Sequence, residues 1–249
     1  MDERVRLSRL QVSRRRALVL GGTVGLAGVL AACATGSDAP STGAVTSTDP
    51  VTDPAALLDV ANTCVLAQEE TQGPYWFDVD SIRSDIREGR PGLTLALALR
   101  VHDLSSCSVG GAVRPVPNSV VEIWHCDAGG VYSGVQGDTA MFLRGVQRTD
   151  AKGVALFRTI YPGWYPGRTV HIHTMVHLGG NVVHTGQLYF PEAVTDGVYK
   201  RSPYSQRPNR DPRNAGDSIY RNGGRRSTLR LARRGAAYAG SITMGVQRS

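Results

Sequence analysis

The chain has 249 residues, 41% of them apolar, with 28 Lys and Arg against 21 Asp and Glu and a formal charge of +7. Residues 1–32 hold six Arg against Asp2 and Glu3, four of those seven net positive charges, and the remaining +3 makes a weak case for a nucleic-acid binder. The about 185 residues beyond position 62 suffice for one domain with a substantial core.

At the N-terminus, S-R-R-R at 13–16 precedes 16 uncharged residues, 17–32. That run falls short of the roughly 20 residues a membrane-crossing helix needs, so 1–32 reads as an export signal of twin-arginine type. L-A-A-C at 30–33 resembles a lipoprotein cleavage box, which makes Cys33 the lipidated first residue and tethers the protein to a membrane. An uncleaved anchor helix is the alternative. Either way the expected location is extracytoplasmic, membrane-anchored or secreted. Residues 33–62, rich in Ser, Thr, Gly, Asp, Ala and Pro, read as a disordered tether, and 63–249 as the folded domain. Outside the cytoplasm a cysteine pair should oxidise. Cys64 with Cys107 is the preferred bridge, although spacing does not fix connectivity. Cys126 is then the odd thiol, read as a small buried hydrophobe.

The domain alternates mostly with period two. L-T-L-A-L-A-L-R-V at 93–101, then 119–126, 153–160, 170–178 and 181–190 read as strands, with shorter runs at 227–231 and 241–246. Gly, Pro, Asp and Asn clusters separate them. No long 3.6-residue stripe occurs after the signal. The expected fold is all-β: a single-domain β-sandwich of about eight strands with long loops and few short helices. Between 201 and 234, ten Arg face only Asp211 and Asp217, which reads as a solvated basic surface.

The strand at 170–178 places Val170, Ile172, Thr174, Val176 and Leu178 on one face and His171, His173, Met175 and His177 on the other. Same-face neighbours lie roughly 7 Å apart, near enough for His171 and His173 to converge on one ion. His177 is too distant to join them without a bend. Tyr132 closes V-E-I-W-H-C-D-A-G-G-V-Y, and Tyr161 and Tyr165 both lie in Y-P-G-W-Y just before the histidines. Two phenolates and two imidazoles suit ferric iron, because anionic oxygens cancel its charge. By spacing alone, a His-x-His pair fits zinc, copper or ferrous iron equally, or no metal at all. A metal-dependent hydrolase and a non-catalytic binding module on the same sandwich therefore stay open.

V-E-I-W-H-C-D-A-G-G-V-Y-S, F-L-R-G-V-Q-R-T-D, T-I-Y-P-G-W-Y-P-G-R-T-V-H-I-H and T-G-Q-L-Y-F-P, in this order, resemble the intradiol ring-cleavage dioxygenases. E-T-Q-G-P-Y-W at 70–76 and R-S-D-I-R-E-G-R-P-G at 83–92 resemble their secreted, single-domain branch. The resemblance implies one non-haem Fe3+ with Tyr132 and His171 equatorial, and Tyr165 and His173 axial. It also implies Arg168 beside the iron, Gln187 supporting it and Tyr75 at the substrate mouth. The implied reaction opens a catechol-type diol with O2 between the two hydroxyl-bearing carbons, giving a cis,cis-muconate. The segment between Tyr165 and His171 is short against better-known members, and their helical dimerisation region has no counterpart. A more open pocket, a bulkier substrate and an open question of oligomeric state follow.

Overall fold

The computed structural model describes residues 53–58, 66–79, 81–105, 113–135 and 139–247. The expected signal, most of the expected tether, and Cys33, Cys64 and Cys107 lie outside the described residues. Within the stretch read as a tether, 53–58 forms a 3-10 turn instead, and Pro54 is buried. Pro54 presets the first φ of that turn, and the Asp53 carboxylate accepts the Ala55 N–H at 3.0 Å.

Nine strands form two facing sheets among the described residues. In the first, β1 (Thr94–Asp103) is central. On one side it pairs antiparallel with β5 (Val154–Ile160) and, further along, with the two-residue β2 (Arg114–Pro115). On the other it runs parallel to β9 (Ala237–Val246), which pairs antiparallel with β8 (Arg230–Arg234). The second sheet is antiparallel throughout, in the order β4 (Arg144–Arg148), β3 (Val120–Trp124), β6 (His171–Leu178), β7 (Asn181–Tyr189). The single α-helix among the described residues, α1 (Glu192–Val198), is short, and no described helix is long and apolar enough to cross a membrane.

Alternation decides which side chains meet. Leu95, Leu97, Leu99 and Val101 of β1 pack in one core with Val121 and Ile123 of β3, Ile172 and Val176 of β6, and Leu188 of β7. Burying each such side chain stabilises by roughly 1.5–3 kcal/mol. A one-residue slip of β6 would exchange Ile172 and Val176 for His171 and His173, so the core fixes the register of the histidine strand. The opposite face of the second sheet is the one that matters chemically. Cross-strand register sets Trp124 opposite His173, His173 opposite Gln187, and His171 opposite Tyr189. A register shift between Val176 and His177 ends this regularity.

Candidate metal centre

The outward face of β6 is buried beneath loops. His171 and His173 are 2% and 1% exposed, and Trp124, Cys126, Tyr132 and Met175 form a second apolar cluster beside them, flanked by Tyr75, Trp76 and Tyr165. Gly73, at φ +74°, lets the covering segment approach so closely that a methyl group there would stand 3.1 Å from the His173 ring. Trp124 stacks on that ring from the sheet side, 5.0 Å between centroids and 6° from parallel.

Four donor groups meet in this pocket. The Nε2 atoms of His171 and His173 lie 3.1 Å apart, and the Tyr165 hydroxyl is 3.2 Å from His171 Nε2. The Tyr132 ring stands 5.7 Å from that of Tyr165 and 6.1 Å from that of His173. Its hydroxyl is buried without a hydrogen-bond partner. His171 Nδ1 sits 2.6 Å from the Thr169 carbonyl, which can only accept, so Nδ1 carries the proton and Nε2 offers a single lone pair inward. Burial pushes the His171 pKa down to about 3 and that of His173 well below the ordinary value, so both rings are neutral.

This arrangement fits a cation. Donors bonded at about 2.1 Å and at right angles around one ion stand about 3 Å apart, close to the spacings found. Without a cation, one lone pair faces two neighbours and the Tyr132 hydroxyl is orphaned, a costly state for buried polar groups. The phenols require a strongly charged ion to ionise: burial raises Tyr165 to about 12 and Tyr132 well above the ordinary value. Among the described residues no group of three or more His, Cys, Asp or Glu could hold a metal, so half of this donor set is phenolic.

The remaining expected residues fall around these four. Arg168 donates from Nε to the Asp217 carboxylate at 2.9 Å and from Nη2 to the Gln187 side-chain oxygen. Gln187 in turn donates to the Thr71 carbonyl at 3.1 Å. Burial works against the Arg168 charge, but Asp217, with smaller contributions from Tyr165 and Tyr189, outweighs it and holds the pKa above the ordinary value. Tyr75 stacks on Tyr132 at 4.5 Å. Tyr161 is elsewhere: fully buried in the main core, its hydroxyl 2.8 Å from Thr195 Oγ1. His177 is also diverted, its Nε2 lying 3.6 Å from the Glu122 carboxylate. Cys126 is buried, its thiol facing the Gly163 carbonyl at 3.5 Å, and burial raises its pKa to about 12.

Two carboxylates here had no signal in the sequence reading. Asp217, 1% exposed, accepts from Arg168 Nε and the Thr169 N–H on one oxygen and from the Ile219 and Tyr220 N–H groups on the other. Glu70 accepts the Tyr189 hydroxyl at 2.8 Å, and burial pushes its carboxyl up to about 7. An Asp within an N-A-G-D-S stretch reads as a turn, and only the fold brings it under Arg168.

The family described as Dioxygenase matches residues 73–195. The chain is similar to a solved intradiol ring-cleavage dioxygenase from Tetranychus urticae, with 34% identity and a TM-score of 0.69 over 74% of this chain and 95% of that one. The dioxygenase domain of a dioxygenase carbohydrate-binding protein fusion from Streptomyces sp. SirexAA-E is 25% identical, TM-score 0.56, over 74% and 100% of the two chains. A 3-chlorocatechol 1,2-dioxygenase from Rhodococcus opacus shares the fold at 20% identity and TM-score 0.55, over 74% and 73%. No curated protein matches the chain at a significant level.

Proposed function

Because the chain belongs to the intradiol ring-cleavage dioxygenase family, we propose that it opens catechol-type aromatic diols with O2 between the two hydroxyl-bearing carbons. The product is a cis,cis-muconate whose two carboxyl groups contain both atoms of O2. The observation that carries this reading is the meeting of two phenols and two neutral imidazoles at one buried point. Tyr132, Tyr165, His171 and His173 would hold one Fe3+, which when bound draws electron density from a chelated diol so that a ring carbon reacts with O2.

The protein's own residues do the rest. Tyr165 Oη would take one proton from an incoming hydroxyl, since burial raises its pKa to about 12 and makes its phenolate a strong enough base. Tyr132, stacked under Tyr75 and more deeply buried, stays in place. Arg168 is aimed by Asp217 and Gln187, and its Nη1 bonds to no described residue, which leaves a donor for negative charge developing on the ring. Trp124 stacks on one face of the His173 ring and the Gly73 segment closes on its Cε1 edge, which together restrict its lone-pair direction. Only five residues separate Tyr165 from His171, and Val131 beside Tyr132 is 54% exposed. A segment this short would leave the pocket less covered, which would suit a diol larger than catechol, such as a substituted or lignin-derived one. We also propose an extracytoplasmic location with lipid on Cys33, supported by the sequence of the first 33 residues.

Oxygen uptake across catechol, hydroxyquinol, protocatechuate and larger diols, with 18O2 and mass analysis of products, tests the reaction. The expected product carries two labelled oxygens and two carboxyl groups. An aldehyde-bearing product, from cleavage beside the diol, would contradict it.

A further inference from the structure

The two tyrosines reach the centre from separate loops, Tyr132 from 125–133 and Tyr165 from 161–168, and these loops touch backbone to backbone. The Gly163 N–H donates to the Asp127 carbonyl at 3.0 Å, and a methyl group on Gly163 would press into the backbone of Asp127 and Ala128. On the facing side Gly130 has φ +82°, and a methyl group there would collide with the Trp164 carbonyl and the Arg207 guanidinium. Glycine on both sides of the seam is therefore what permits the approach.

Arg207 closes the seam. Its Nη1 donates to the Gly129 carbonyl of one loop and, at 2.7 Å, to the Trp164 carbonyl of the other. The guanidinium lies 4.8 Å over the Trp164 ring, and the Trp164 indole N–H returns to the Arg207 carbonyl at 3.1 Å. Trp164 immediately precedes Tyr165, and Gly129 lies three residues before Tyr132. Nearby Arg210 and Arg213 have a different task, since both are spent on Glu192 and Asp196.

We propose that Arg207 is a positioning residue that sets the separation of the Tyr132 and Tyr165 phenols by clasping the two loops that carry them. The proposal rests on the reading of both tyrosines as metal ligands. An arginine suits the task because one planar guanidinium can bond two carbonyls while stacking on an indole. Its consequence is that one member of the basic stretch at 201–234 serves the reaction from outside the pocket.

The test uses the full chain with Arg207→Ala, the milder Arg207→Met, and Arg213→Ala as a control in the same cluster. In the iron-free protein, amide hydrogen exchange at 128–132 and 163–165 should accelerate about tenfold or more in the Arg207 variants, with β6 unchanged. In the iron-loaded protein, the visible tyrosinate absorption should move. Turnover should drop about tenfold with KM within about twofold, as a small misplacement of reacting groups predicts. Arg213→Ala should match wild type in every readout. Wild-type exchange in both loops, or an unmoved absorption band, would overturn the clasp. Absence of the band from iron-loaded wild type would instead overturn the metal reading and the positioning role with it, so the two failures are distinct.

Discussion

Replacing Asp217 with Asn is nearly isosteric, yet it should be among the most damaging single changes available. The carboxylate is 1% exposed and accepts four hydrogen bonds, two on each oxygen. An amide keeps one oxygen, so two donors lose their acceptor whichever way it turns. If the NH2 replaces the oxygen facing Ile219 and Tyr220, two backbone N–H bonds to a charged acceptor, about 1.5 kcal/mol each at the low end, are lost and two N–H groups are stranded. If it faces Arg168 and Thr169, a charge-assisted bond worth about 1.5–3 kcal/mol goes as well. In either orientation Arg168 loses its counter-charge, and breaking a buried pair costs about 3–5 kcal/mol. The Arg168 side chain is 17% exposed, which places the total near the lower end, about 3 kcal/mol. For a domain of this size that is a fall of about 6–12 °C in melting temperature. Turnover should fall by about 10²-fold, since the guanidinium is no longer aimed. Because Asp217 is held below the ordinary carboxylate range, its contribution is present above the unfolded value and fades as pH falls through the folded one. The variant should therefore converge on wild-type stability in acid. Melting within about 2 °C of wild type at neutral pH, with normal turnover, would falsify the role given to Asp217.

Glu70 gives the opposite sign. Its pKa is raised to about 7, so the unfolded chain releases its proton first and wild type should lose stability as pH rises from about 4.5 to 7. Glu70→Gln should flatten that slope in melting curves taken across the range; an unchanged slope would place the titration elsewhere. Tyr161→Phe removes a buried hydroxyl from Thr195 and should cost about 1–2 kcal/mol in urea unfolding without altering the colour of the iron-loaded protein. A changed colour would show that the wrong tyrosine of Y-P-G-W-Y had been assigned. Mass analysis of the mature protein should find a lipidated Cys33 at its N-terminus, and an intact Met1 would remove the lipoprotein reading.

The strands that position the centre were legible where alternation is strong. β6 appears as read because Ile172 and Val176 are core residues and His171 and His173 cannot be, and β1 follows from its Leu repeat. β4 was missed: R-G-V-Q-R is short, polar and contains Gly, and it becomes a strand only by pairing with β3. Tyr132, Tyr165, His171 and His173, which the structure brings together, stand in recognisable local patterns, and the family resemblance favoured Tyr165 over Tyr161. Of their surroundings, Arg168, Gln187 and Tyr75 came from the resemblance alone, and the groups that hold them in place were not readable. Asp217 and Arg207 lie in an arginine-rich stretch that looks like a solvated surface, and their roles depend on contacts 49 and 43 residues away in sequence. The Trp124 stack on His173 likewise needs the β3 to β6 register, which no single segment encodes.

Tyr132, Tyr165, His171 and His173 are proposed to share one ferric ion. Titrating iron into the metal-free protein, while following visible tyrosinate absorption, tests it most directly when repeated with each of the four replaced singly. The expected result is one iron per chain with a red to burgundy colour in wild type, loss or displacement of the band in Tyr132→Phe and Tyr165→Phe, and weakened binding in His171→Ala and His173→Ala. A protein that binds no iron, or binds it colourlessly and equally well in all four variants, would contradict the account.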